Sequence, residues 1–312
     1  MRVPSPLLVS ALAISALAAC GDPAAPTAQP ADALQYAVAR LSPWSVAAPL
    51  TTLNTVGSTE GCPFITRDGN TLYFASNRPG TLGGLDLYVS HRDGETSAWG
   101  PATNLGPSIN TAANEQCPML LNDAHELIFV SDRAGGLNGL DLWMARRQDK
   151  RRDDGWGAAV NLSVLNSPGA DFGPNGHENE HGNLVLYFNS NRGGSHDLYS
   201  STRVGGTFGA PQPVTSVNST AEEQFPTLSK HGLELVFASN RAGTLGGLDL
   251  WRATRSSSSA PWGAAENLGS AVNSSAAEAR STLSWDGTEL IFHSTRTGDA
   301  NLYSSSRQRT AK

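Results

Sequence analysis

Charge, cysteine and long apolar runs are all scarce in this chain of 312 residues. Charged side chains make up 16% of it, too few for a coiled coil or a charge-rich disordered chain. The formal charge is −6, which argues against nucleic acid and anionic lipid surfaces as partners. The apolar run at residues 7–17 is too short to cross a bilayer as a stable helix. The cysteines number three: Cys20, Cys62 and Cys117. Glycine is abundant, at 32 residues, as in a turn-rich chain, and the length suffices for one large all-β domain with a sizeable core.

The N-terminus reads as a sorting signal. Arg2 supplies a basic start, the apolar run follows, and Leu17-Ala18-Ala19-Cys20 resembles a bacterial lipobox. In signals of that kind the cysteine is lipidated and becomes the mature N-terminus. The alternative is a plain secretory signal that leaves Cys20 an unpaired thiol. Gly21, rather than Asp, favours the outer membrane by resemblance to lipoprotein sorting in enteric bacteria. Residues 1–19 are thus expected to be a signal peptide, and residues 20–35, rich in Pro and Ala, a polyproline-like tether. A folded domain is expected over 36–312.

That domain repeats itself. A Leu-x-Phe-x-Ser phrase closes on Arg78, Arg133, Arg192, Arg241 and Arg296, spaced 55, 59, 49 and 55 residues apart. Each copy continues to Asp-Leu-Tyr/Trp, or to Asn-Leu-Tyr at Asn301. Each is preceded by an acid: Glu60, Glu115, Asp171, Glu223 and Glu278. A proline follows the acid by three residues, except after Glu278, where Ser281 stands. Between copies come an aromatic-Gly pair, such as Trp99-Gly100, and an Asn-Ser/Thr pair, such as Asn110-Thr111. A period of this size means a solenoid, a propeller or an array. Four short strands fit each copy, with tight turns such as Asp68-Gly69 joining the first two strands. Strand D carries the aromatic-Gly pair and ends near Asn-Leu. Four strands per repeat around an axis make a propeller blade.

Ser-Asn-Arg, Gly-Gly-Leu-Asp-Leu-Tyr and Pro-x-x-Ser-x-Asp-Gly resemble the WD-like propeller repeats of the TolB type, over residues 44–308. The resemblance implies a bacterial envelope protein and leaves its task open. The copies count five blades, where the TolB domain has six. The chain begins and ends partway through a repeat. Residues 44–50 are therefore expected to be the outer strand of the last blade, so that the chain ends close the ring. The fold class is all-β, a five-bladed propeller of four-stranded antiparallel blades.

Connectivity assigns two mouths. The D-to-A and B-to-C connections share one, and they are long in blades 1, 2 and 4; this loop mouth is the expected binding surface. The A-to-B and C-to-D connections share the other, the turn mouth. The five acids begin inner strands and ring the loop mouth, beside the five arginines. They can be a cation site or catalytic carboxylates, or structural partners of the arginines; repetition favours pairing, with Asp171 too short to reach its arginine. No catalytic residue is assigned. His177-Glu178-Asn179-Glu180-His181 matches His-Glu-x-x-His, but it fills an A-to-B turn rather than a helix. His177 and His181 are expected to hold at most an adventitious metal, and no cofactor is expected. The charged run at 146–154 is expected to be solvated surface without function. Cys62 and Cys117 occupy equivalent positions on adjacent inner strands. In an oxidising compartment they are either bridged or two separate buried thiols.

Two functions fit. One is a monomeric, lipid-anchored binding or scaffold propeller of the outer membrane, contacting envelope protein or glycan at the loop mouth and touching the membrane only through its N-terminal lipid. The other is a glycoside hydrolase of the arabinanase or fructosidase kind. The near-equivalence of the acids favours the first, a protein without enzymatic activity.

Overall fold

Side chains in the Leu-x-Phe-x-Ser run alternate across a strand, since successive residues of a strand point to opposite faces. In the computed structural model, which describes Met1 and residues 41–121, 124–137 and 139–310, every copy forms the second strand of an antiparallel sheet. The expected lipobox with Cys20, the tether and residues 36–40 lie outside the described residues. Among the described residues there is no helix.

The closing strand β1 is Ala48–Pro49. Blade 1 holds β2 (Glu60–Ile65), β3 (Thr71–Ser76), β4 (Asp86–His91) and β5 (Thr103–Asn104). Blade 2 holds β6 (Glu115–Leu120), β7 (Glu126–Ser131), β8 (Asp141–Arg146) and β9 (Val160–Asn161). Blade 3 holds β10 (Asp171–Glu178), β11 (Leu184–Ser190), β12 (Asp197–Val204), β13 (Thr207–Phe208) and β14 (Gln212–Pro213). Blade 4 holds β15 (Glu223–Leu228), β16 (Glu234–Ser239), β17 (Asp249–Thr254) and β18 (Glu266–Asn267). Blade 5 holds β19 (Glu278–Leu283), β20 (Glu289–Thr297) and β21 (Asp299–Ser306), and β1 completes it. The inner strands touch in the cyclic order β2, β6, β10, β15, β19 and back to β2.

The regular part of the closing strand is short. Ala48 pairs with Ser304 and Pro49 with Tyr303. Around it, Ser45 donates its backbone N–H to Ser306 at 2.7 Å, and Trp44 lies 4.2 Å from the Arg307 guanidinium. The outer strands of blades 1, 2 and 4 also have only two residues each, β5, β9 and β18. Their aromatic-Gly pairs precede them as loop, contrary to the expectation that strand D carries the pair. Blade 3 differs again, because both β13 and β14 pair with β12.

Equivalent residues build the core between blades. Phe74, Phe129, Phe188, Phe237 and Phe292 have no exposed surface, nor do Leu87, Leu142, Leu198, Leu250 and Leu302 beside them on strand C. Burial of each such side chain contributes about 1.5–3 kcal/mol.

Every inner strand is bulged at one place. The register slips between Gly61 and Phe64, and at the equivalent point of the other four inner strands. The residue two beyond the acid takes a left-handed backbone there: Cys62, Cys117, Gly173, Phe225 and Arg280, with φ between 49° and 58°. These five residues line a narrow channel on the axis. Cys62 and Cys117 are joined by a disulfide, with Cα atoms 4.5 Å apart. Gly173 has to be glycine, because a Cβ there would come within 3.0 Å of the Phe225 backbone and ring.

Candidate functional site

At the loop mouth the repeated acids Glu60, Glu115, Asp171, Glu223 and Glu278 have no exposed surface. Arg78 lies 3.2 Å from Glu60, Arg133 3.0 Å from Glu115, and Arg192 2.7 Å from Asp171. Arg241 lies 2.7 Å from Glu223 and Arg296 3.1 Å from Glu278. The shorter Asp171 does reach its arginine, and Ser167 donates to it through its backbone N–H at 2.7 Å and its hydroxyl at 3.0 Å.

The Asn-Ser/Thr pair explains its own recurrence. Ser219 donates its backbone N–H to Glu223 at 2.7 Å and its hydroxyl at 2.6 Å, and the Ser239 hydroxyl donates at 3.1 Å. Asn273 accepts the Leu250 N–H at 2.8 Å and donates to the Leu250 carbonyl at 3.0 Å, standing in for a neighbouring strand. Asn54 does the same for Leu302, across the closure of the ring. Burial pushes the Glu60 carboxyl above its ordinary range, against the hydrogen bonds from Thr55 and Ser76 and the Arg78 charge that pull it down. Carboxylates so enclosed by donors tie each inner strand to its own second strand and to the connection that leads into it, and have no free face for a substrate.

The long loops of this mouth are packed rather than open. Asp86 accepts the backbone N–H of Leu82 at 2.8 Å, and Asp249 that of Leu245 at 2.8 Å. A Cβ on Gly83 would meet the Ala113 carbonyl at 2.1 Å, and one on Gly246 the Ala276 carbonyl at 2.1 Å. The glycines of the repeat therefore let each B-to-C loop lie directly on the next D-to-A segment.

The concavity lies at the opposite, turn mouth, where a cavity of about 1030 Å³ opens. Its frame is a second arginine series that sequence reasoning missed: Arg92, Arg147, Arg203, Arg255 and Arg307. Each stands six residues after the Asp of the Asp-Leu-Tyr/Trp phrase, or after Asn301 in the last copy, and that constant offset was the available signal. Each guanidinium lies over the aromatic of an aromatic-Gly pair or over Trp44, from 4.2 Å for Arg255 on Trp262 to 5.6 Å for Arg203 on Phe208.

Three of these arginines cross to a carboxylate at the start of strand B in the preceding blade. Arg92 reaches Glu289 at 2.7 Å, Arg203 reaches Glu126 at 2.5 Å and Arg307 reaches Glu234 at 2.6 Å. Arg203 and Arg146 hold Glu126 below the usual carboxylate range despite its burial. At the other two junctions the equivalent strand-B positions are Thr71 and Val185. Arg255 instead donates to the Tyr187 hydroxyl at 3.3 Å and lies 3.3 Å from His177 Nε2.

At the Thr71 junction the repeat is broken by an acid from elsewhere. The C-to-D loop of blade 2 brings Asp153 over blade 1. There Asp153 Oδ2 lies 2.7 Å from His91 Nε2, and the Tyr73 hydroxyl donates to Oδ1 at 3.4 Å. His91 Nδ1 is 3.2 Å from the Thr71 hydroxyl. Burial pushes Tyr73 up to about 12, with Arg147 opposing and Asp153 reinforcing the shift. Asp153 keeps 38% of its side chain exposed and lines the cavity, as does Glu178, which ends β10. The charged run at 146–154, expected to be featureless surface, thus supplies a wall of the cavity. On another wall Trp285 carries Arg67 at 4.4 Å and Lys230 at 5.1 Å, from the blades on either side.

His177 ends in a strand, buried, and His181 in the exposed turn beyond it. Two histidines four residues apart come together on one metal ion when they lie on a helix, which is not the case here. Burial, then the Arg255 charge, hold His177 down to about 4. Among the described residues no group of three or more His, Cys, Asp or Glu is placed to hold a metal ion.

No protein-family model matches the chain, and no curated protein matches it. Solved structures do. A thermostable family-43 glycoside hydrolase matches at 11% identity and a TM-score of 0.57, over 82% of this chain and 91% of that one. An endo-arabinase from Bacteroides thetaiotaomicron matches at 14% identity and a TM-score of 0.57, over 85% and 97%. A putative TolB from Agrobacterium tumefaciens matches at 14% identity and a TM-score of 0.48, over 81% and 78%. Further matches include α-L-arabinofuranosidases from Podospora anserina and Lactobacillus brevis. At these identities the likeness is one of fold. Its distribution nevertheless corrects the expectation of a binding or scaffold propeller working through the loop mouth: the neighbours are mostly glycoside hydrolases, the alternative named beside it.

Proposed function

We propose that this propeller is a glycoside hydrolase whose substrate enters the turn-mouth cavity, with Asp153 and Glu178 as its working carboxylates. The observation that carries the reading is Asp153. It stands where the second arginine series lacks an inter-blade carboxylate, partly exposed and oriented by His91 and Tyr73. Glycosidic hydrolysis needs a carboxylic acid to protonate the leaving oxygen and a carboxylate on the other side of the sugar. Asp153, oriented by the Tyr73 hydroxyl and the His91 imidazole, takes the proton from the attacking water as it adds to the anomeric carbon. Glu178, exposed on the wall, gives its proton to the leaving oxygen as the C–O bond breaks. Arg67 and Lys230 form no ion pair among the described residues and favour a glycan that bears carboxylate or sulfate groups.

The test is release of reducing ends from arabinan, xylan, fructan and acidic pectic glycans. Asp153→Asn and Glu178→Gln are each expected to lower the rate at least ~100-fold, the scale of general acid–base assistance, with melting unchanged. Absence of hydrolysis by the parent protein, or full activity in Asp153→Asn, overturns the reading. Export and lipid anchoring at Cys20 are proposed with it, on the sequence of residues 1–21 alone.

A further inference from the structure

The axis of the ring carries a charge that the protein does not balance. Arg280 is one of the five left-handed residues of the inner strands, and its side chain turns inward among Cys62, Cys117 and Phe225. Its guanidinium lies 4.8 Å from the Phe225 ring, and Nη1 donates to the Gln116 side-chain oxygen at 3.3 Å. No carboxylate pairs with it among the described residues, whereas the arginine of every loop-mouth pair has its acid. Arg280 is half-buried, and desolvation holds its pKa down to about 10; a cation so placed without a counter-charge is disfavoured.

Two more polar groups nearby lack partners. The Ser281 hydroxyl and His293 Nδ1 are buried and unbonded. A Cβ built on Gly61 would lie 3.2 Å from His293 Nδ1 and 3.6 Å from Arg280 Nη1, so imidazole and guanidinium converge on one side of the Gly61 backbone. Ser281 lines the same channel. Burial, then the Arg280 charge, hold His293 down to about 3, so it is neutral and can donate one N–H. All three groups can act as donors. Of the three, Arg280 and Ser281 line the channel, and they stand where the fifth repeat departs from the others, in place of a residue and proline.

The channel offers about 20 Å³. That suits one water-sized particle and excludes carboxylate, phosphate and sulfate. We infer that the axial channel binds a single halide ion, chloride in solution, held by Arg280 with Ser281 as a further donor. A water molecule would fill the space and accept the hydrogen bonds, but it would leave the charge of Arg280 unopposed.

The decisive probe is bromide. Crystals of the whole chain in sodium bromide should show an anomalous peak on the axis within hydrogen-bond reach of Arg280. Melting in sodium chloride, compared with sodium gluconate at equal ionic strength, should rise saturably, by several degrees at a hundred times the dissociation constant. Arg280→Met should abolish that dependence, and Ser281→Ala should weaken it if the first variant fails to fold. A bromide map without an axial peak, or a melting point indifferent to the anion, overturns the inference. The hydrolase proposal is untouched by either result, because its residues line the other cavity.

Discussion

Glu223→Gln tests whether the acid ring is scaffold or chemistry. Glu223 accepts four hydrogen bonds: two from Ser219, one from Ser239 and one from Arg241. All four partners are donors. A glutamine keeps one oxygen and presents an NH₂ in place of the other, so donor faces donor on one side. If the oxygen stays toward Arg241, the Ser219 backbone N–H is orphaned; if it turns away, Arg241 retains the Val217 carbonyl at 2.9 Å and the Ser239 hydroxyl but no opposite charge. Breaking a fully buried ion pair costs roughly 3–5 kcal/mol, and an unsatisfied buried group about 1–3 kcal/mol. Arg241 keeps 17% of its side chain exposed, so water relieves part of the loss. A destabilisation of ~2–3 kcal/mol follows. Urea unfolding measures it, and a double-mutant cycle with Arg241→Met isolates the coupling. Glu223→Gln with unchanged stability and no hydrolytic activity would refute the reasoning and place the catalytic carboxylates at the loop mouth.

Removing residues 41–52 should lower the melting point cooperatively, because blade 5 loses β1 and Arg307 loses Trp44; a truncated protein that melts like the parent would show that closure is not at this strand. Replacing Cys62 and Cys117 by serine opens a loop of 55 residues, and the chain-entropy account expects a loss of about 4 kcal/mol in denaturant unfolding. His177 titrates near 4 in the fold against about 6.5 unfolded, so its contribution is whole above pH 6.5 and lost as pH falls through 4; His177→Gln should flatten the melting profile across that window by roughly 3 kcal/mol. Cys20→Ser should yield a soluble, folded protein, and fatty-acid labelling that persists in it would rule out the lipidated cysteine.

The blades were legible because each repeat writes its strand alternation, its Asn-Ser/Thr clamp and its acid into fixed places. The turn-mouth site was not. Loop length shows where chain accumulates, not where it leaves space, and the long Gly-Gly-Leu-Asp loops fill themselves. Arg92, Arg203 and Arg307 are paired with acids of another blade, so no local pattern announces the bond. Asp153 looked like one charge in a mixed run, since nothing near it in sequence reveals His91 and Tyr73 as its partners. The left-handed Cys62, Cys117, Phe225 and Arg280 were hidden for a related reason: a bulge is set by the ring, and their residue types do not favour that backbone.

Residues 48 and 49 cannot find their partners until residues 303 and 304 exist. A chain emerging from its N-terminus therefore keeps the outer edge of blade 5 unpaired through the whole of its synthesis. The first blades can collapse early on local hairpins, but the circle has no closed state before the last strand arrives. Its final step is the joining of segments some 255 residues apart, a search whose slowness grows with sequence separation. Until then β21 is an open edge, able to accept a strand from another molecule. The segment that covers the long edge of β21 in the finished ring is thus also the one whose delay exposes the folding chain to association with its own copies.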